Sequence, residues 1–148
     1  MPGEETLRIV ARVHDLHDWL VRLHTDGGLD LGFRGSLGRV AYHAPCHLRV
    51  QEIGFKARDL LRLVPGTTVD VVERCSGMDG TWGFKHEFHD ASNKVARPLL
   101  RELDDLAPDV VVSDCPLSAL RIEEARGRRV HHPVEALWAA YEGRTLPA

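Results

Sequence analysis

The stretch Arg39-Val40-Ala41-Tyr42-His43-Ala44-Pro45-Cys46-His47 decides the fold. A short strand-forming run stops at a cysteine, and residues able to start a helix come next. The pattern returns twice: Val69-Asp70-Val71-Val72 leads to Cys75, and Val110-Val111-Val112 leads to Cys115. A fourth, shorter run, Arg129-Val130, ends at His131-His132-Pro133. Strands alternating with helices form a mostly parallel sheet with helices on both faces and right-handed crossovers. The β-branched runs suit strands buried on both sides. Parallel strands deliver the turns at their C-terminal ends to one edge, where open α/β sheets bind ligands. Three thiols and an imidazole are therefore expected there, the pattern of a metal or cluster site gathered from distant parts of the chain.

The rest of the chain fills in this α/β reading of a single domain with a Rossmann-like sheet. A helix over about 50–64 would bury Ile53, Ala57, Leu60, Leu61 and Val64, and Pro65-Gly66 would end it. A strand over 68–73 precedes a glycine-rich loop, 76–83. The helix expected over 87–106 buries Val95, Leu99, Leu103 and Leu106, with Pro98 as a kink point. A strand over 109–113 leads through Cys115-Pro116 into a helix ending near Gly127, and a last helix runs from 134 to 142. Before the sheet, Leu7, Val10, Val13, Leu16, Leu20 and Leu23 predict one or two amphipathic helices between Thr6 and His24. The expected division is an N-terminal helical segment and linker (1–38), the α/β domain (39–143) and a tail (144–148).

With 148 residues, the chain suffices for one real core and is short for two. A net charge of −3 speaks against a nucleic-acid footprint. Arg126-Gly127-Arg128-Arg129 comes after Glu123 and Glu124 and reads as a solvated turn. Neither a leader pattern nor an apolar stretch of about 20 residues is present, so no membrane span is expected and the expected setting is cytoplasmic, with thiols reduced. Three cysteines make no disulfide framework. Buried spectator thiols are the plain alternative.

Proline directly succeeds Cys115 and His132, which places both as helix caps. Unpaired backbone N–H groups and the helix dipole there favour the thiolate that metal ligation requires. The loop Cys75-Ser76-Gly77-Met78-Asp79-Gly80-Thr81-Trp82-Gly83 carries no dinucleotide or Walker fingerprint. Gly77 and Gly80 let the backbone approach a bound group and aim N–H donors at it, and Trp82 covers the site or packs in the core. His43 and His47 flank Cys46, as a fourth ligand or as hydrogen-bond partners of one. His14, His17, His86 and His89 read as solvated helix positions. No serine triad is supported; a nucleophilic Cys46 would leave Cys75 and Cys115 unexplained.

The segments Tyr42 to His47, Arg74 to Gly77 with Gly80 to Lys85, and Ser113 to Pro116 resemble the cysteine-rich CCG domain of the heterodisulfide reductase B subunit. They resemble still more closely the C-terminal half of the anaerobic glycerol-3-phosphate dehydrogenase C subunit. The likeness runs from about Val40 to Gly143 and includes His132-Pro133. It implies an iron–sulfur cluster, most simply 4Fe–4S, that relays electrons beside a flavin dehydrogenase, a ferredoxin-like protein or a second CCG domain. Any membrane association would be peripheral and through such partners. Cys46, Cys75 and Cys115 match the family's ligands, with His132 the first choice for a fourth, ahead of His47 and Asp79. Ser76 and Ser118 stand where two further family cysteines would be, which puts a five-cysteine site in doubt and leaves a Cys3His zinc open. A zinc-stabilised or metal-free interaction module, and a small-molecule enzyme using Cys46, are the competing functions.

Overall fold

Residues 3–147 are described by a computed structural model; the first two residues of the N-terminal segment and Ala148 of the tail lie outside it. Two helices come first, α1 (Glu4–Val10) and α2 (Leu16–Thr25). Strand β1 (Arg39–His43) leads into α3 (Cys46–Gln51) and α4 (Lys56–Leu61). Strand β2 (Thr68–Val72) leads through two 3₁₀ turns into α5 (His89–Leu106). Strand β3 (Val110–Ser113) is succeeded by α6 (Pro116–Arg126) and α7 (Pro133–Glu142). The three strands are parallel in the order β2-β1-β3.

Alternation along each strand builds two cores. Val40 and Tyr42 of β1, Val69 and Val71 of β2, and Val110 and Val112 of β3 face one layer. Leu60 and Leu61 of α4 and Ala136, Leu137 and Ala140 of α7 cover it. Ala41, Val72 and Val111 face the other layer, against Leu99 and Leu103 of α5 and Ile122 of α6. The N-terminal segment supplies Leu20, Val21, Leu29, Phe33 and Leu37 to the first core.

Several expectations change. The helix over 50–64 is two short helices, because Glu52 adopts a left-handed φ of 53° and Gly54 one of 75°. The fourth strand shrinks to a single bridge between Val112 and His131. By contrast, α5 runs through Pro98 to Leu106 as expected. The buried side of α2 is rotated from the leucine stripe: Leu16 is 49% exposed, whereas His17 is buried at 4% and Asp18 at 9%. The Asp15 carboxylate fixes this turn by accepting from the His17 and Asp18 N–H groups. His17 is thus no solvated position.

Leu99 is fully buried beneath the sheet. Leu99→Ala should lower unfolding free energy by about 3 kcal/mol, read as a lower denaturant midpoint at unchanged m-value.

Candidate functional site

Strand register sets the level of the three cysteines. His43 ends β1 opposite Val72 of β2 and Ser113 of β3. Cys46 and Cys75 lie three residues beyond that line and Cys115 two beyond it. Neighbouring strands are ~4.8 Å apart, so the cysteine-bearing turns leave one sheet edge side by side in the order Cys75, Cys46, Cys115.

A buried histidine ties those turns together. The His43 Nε2–H donates to the Arg74 carbonyl at 3.0 Å. Because that carbonyl can only accept, Nδ1 is the bare nitrogen and accepts from the Ser113 hydroxyl at 3.1 Å. Ser113 Oγ in turn accepts from the Cys115 N–H at 3.3 Å. Burial depresses the His43 pKa below its ordinary 6.5, against the opposing pull of the Arg74 carbonyl and Asp114. The ring therefore stays neutral, as the network requires. The sequence pattern offered His43 as a fourth ligand or as a hydrogen-bond partner of one; in the structure its bonds go to the turns that carry Cys75 and Cys115.

Above this tie opens a cavity of about 450 Å³, with Cys46, Cys75, Ser76, Gly77, Asp79, Trp82 and Ser118 among its walls. Cys46 and Cys75 are exposed on it. The Gly77 N–H donates to Cys75 Sγ at 3.3 Å. Gly80 is not part of the wall. Trp82 stacks on Phe88 at 5.1 Å between ring centroids while lining the cavity, so it both walls and packs. Ser76 and Ser118 are buried and hydrogen-bonded to each other at 2.8 Å. Arg74 and Arg49 on the rim are engaged by Glu102 and by the Glu73 carbonyl.

Cys115 caps α6 as expected, though its sulfur makes no capping bond and the half-buried residue is not a cavity wall. Asp114 accepts from Tyr42 Oη at 3.1 Å on the first-core side, and the Cys115 backbone (φ −109°, ψ 110°) is tied to Ser113 through its N–H. His132 and His47 are likewise absent from the wall. His132 caps α7, its Nδ1 accepting from the Val134 N–H at 3.2 Å. Among the described residues no three His, Cys, Asp or Glu side chains are grouped to grip a single metal ion.

A second polar group lies on the first-core side of the edge. The His17 ring stacks on His132 with centroids 5.4 Å apart, and its Nδ1 is 3.7 Å from both Asp15 and Asp114. Burial lowers the His17 pKa and outweighs both carboxylates; His132 and His47 push the same way. Burial and Asp114 together raise the Tyr42 phenol well above its usual range. Sequence periodicity gave no sign of this group, because its members come from α2, β1, the β3 turn and the start of α7.

Residues 40–122 match the cysteine-rich domain family CCG. The chain belongs to the CCG family. It is 34% identical over 120 residues to the anaerobic glycerol-3-phosphate dehydrogenase C subunit of Escherichia coli K12, covering 80% of this chain and 30% of that protein. An uncharacterized iron-sulfur protein of Methanocaldococcus jannaschii is 32% identical over 106 residues, 70% of this chain and 21% of that one. The B subunit of the fumarate reductase (CoM/CoB) of Methanothermobacter marburgensis is 30% identical over 92 residues, 59% of this chain and 18% of the relative. The chain thus spans less than a third of the length of these CCG relatives. No solved structure matches it.

The buried polar groups of this CCG chain give two measurable outcomes. As pH falls below about 6.5, the unfolded state takes up a proton that buried His43 resists, so stability is lost on acidification. His43→Gln should flatten the stability slope between about pH 7 and 5, measured by denaturant unfolding at each pH. Ser76→Ala leaves the Ser118 hydroxyl buried without its partner and should cost about 1 kcal/mol, measured in the same assay.

Proposed function

We propose that this chain is an iron–sulfur electron-transfer domain of an oxidoreductase assembly. The observation that carries the reading is the delivery of Cys46, Cys75 and Cys115 to one sheet edge, with a backbone N–H already on the Cys75 sulfur. The relatives' names, an iron-sulfur protein and two oxidoreductase subunits, point the same way. Separate iron atoms take separate ligands, so a cluster suits thiols spaced along an edge better than a single ion does. We assign Cys46, Cys75 and Cys115 as its ligands, and 4Fe–4S as the cluster type. For the fourth position Asp79 offers an oxygen on the cavity wall, while His132, the sequence's first choice, keeps Nε2 free at the start of α7.

A bound cluster would supply one-electron storage. The chain's own residues do the rest. Gly77 donates to the Cys75 sulfur, and a donor of this kind raises a cluster's reduction potential. Trp82 and Val95 give the cavity apolar walls that limit water. Exposure of Cys46 and Cys75 brings the centre near the surface, where a partner can exchange electrons with it. Partner subunits are a flavin dehydrogenase, a ferredoxin-like protein or a second CCG domain, and we place the assembly in the cytoplasm. Among the described residues no helix is long and apolar enough to cross a membrane, so any membrane contact would come through those partners.

One observation favours a second reading. Ser76 and Ser118 satisfy each other, which closes part of the site without any metal and suits an interaction module that kept the fold and lost its redox centre. A cysteine enzyme finds less support, because both ring nitrogens of His43 are engaged, which leaves only His47 as a base for Cys46, and because it gives Cys75 and Cys115 no role.

Anaerobic reconstitution with iron and sulfide separates these readings. The expected product is brown, holds iron and labile sulfide in equal amounts, and bleaches on reduction. Cys46→Ala, Cys75→Ala and Cys115→Ala should each abolish most of that colour while leaving the far-UV spectrum intact. Stoichiometric zinc without iron, or three cysteine variants that assemble the centre normally, would overturn the proposal.

A further inference from the structure

Arg121 is the one arginine or lysine buried among the described residues, with its side chain 4% exposed. Burying a guanidinium is expensive unless its donors are met; both terminal nitrogens of Arg121 are met, on α5, α6 and the loop that carries Cys75, while Nε has no partner. Its Nη2 donates to the Gly83 carbonyl at 3.1 Å and to Ser92 Oγ at 2.9 Å. Nη1 donates to Asn93 Oδ1 and, at 2.9 Å, to the largely exposed Glu124. Ser92 Oγ then donates to the Gly77 carbonyl at 2.8 Å. Gly77 is the residue whose N–H meets the Cys75 sulfur.

The approach is close enough to exclude side chains from the loop. A Cβ on Gly77, at φ 76°, would sit 2.3 Å from the Ser92 carbonyl oxygen. One on Gly83 would sit 2.7 Å from the Gly77 carbonyl and from Ser92 Oγ. Three residues before Arg121 on α6, Ser118 holds Ser76 from the same helix. The helix that begins behind Cys115 thus grips the Cys75 loop at both of its ends.

We propose that Arg121 is a positioning residue for the cluster: through Ser92 it fixes the Gly77 backbone so that its N–H bears on the Cys75 sulfur. The proposal rests on the reading of Cys75 as a ligand, and the loop's geometry stands apart from it. Holding the donor in place before the cluster arrives spares its assembly the ordering of an eight-residue glycine loop, 76–83. It also keeps that donor on the sulfur in both oxidation states.

The test uses the full chain carrying Arg121→Gln, Arg121→Lys or Ser92→Ala, with two readouts. In cluster-free protein, exchange of the Gly77 amide should quicken about tenfold in all three variants, while the amides of Leu99 and Leu103 in α5 keep their protection. In reconstituted protein, the midpoint potential should fall in all three, because the donor no longer bears on the sulfur. Unchanged Gly77 exchange overturns the proposal. So does full recovery of the potential by Arg121→Lys, which keeps the charge and loses the fork. If Arg121→Gln fails to fold, Ser92→Ala decides, since it cuts the relay and leaves the guanidinium in place. If wild-type protein assembles no cluster, the cluster reading fails, and the exchange measurement still decides the role of Arg121.

Discussion

Three loops that share no sequence neighbourhood meet at one level because a neutral imidazole spans the strands beneath them. His43 reaches Arg74 on one side and Ser113 on the other, and Ser113 holds the Cys115 backbone. Parallel pairing alone would align the strand ends, since the register is set by the alternating valines of both cores. It would leave the departing turns free, because backbone beyond the last ladder bond has no partner. The histidine supplies those partners, and burial keeps it in the one protonation state that can accept from Ser113 while donating to Arg74.

Tethering of this kind explains why so much polarity is buried at the end of an otherwise apolar sheet. His43, Ser76, Ser92, Ser113, Ser118 and Arg121 are all buried, and each would cost stability if left unpaired. They are arranged instead as connections between elements: β1 to β3, the Cys75 loop to α6, and α5 to both. An apolar packing of equal volume could hold the same layers together, but it would not fix the direction of a glycine N–H or the height of a turn. The polar ties hold the loops in register, and the two cores below supply most of the stability.

The legible part of the sequence is the part that periodicity can carry. The β-branched runs before Cys46, Cys75 and Cys115 announced parallel strands, and Pro116 and Pro133 announced the caps at Cys115 and His132. The resemblance added the family and its three cysteine positions. Other features were illegible for physical reasons. The break between α3 and α4 rests on Glu52 in a left-handed conformation that its residue type does not advertise. The burial of His17 depends on the roll of α2, set by a cap at Asp15 and by docking on α4 and α7, not by the count of leucines. Arg121 looks in sequence like any charged helix residue with an i,i+3 acid, Glu124; its other partners, Ser92, Gly83 and Asn93, are 28 to 38 positions away.

The paired serines bear on what the site can hold. Ser76 and Ser118 stand at positions where the family resemblance calls for cysteine, and they face each other at 2.8 Å across the cavity wall. A hydroxyl is a poor ligand for iron beside a thiolate, and each of these already has a partner that costs nothing to keep. Binding a cluster through either serine would break that bond inside a buried wall. Under the proposed reading the serines would therefore stay closed to a metal, and its ligands would be sought among Cys46, Cys75, Cys115 and one non-sulfur donor. In that proposed centre three thiolates would carry less negative charge than four or five, and with the Gly77 donor on the Cys75 sulfur this would favour accepting an electron. On that argument the centre should work at a higher potential than an all-cysteine site on the same fold.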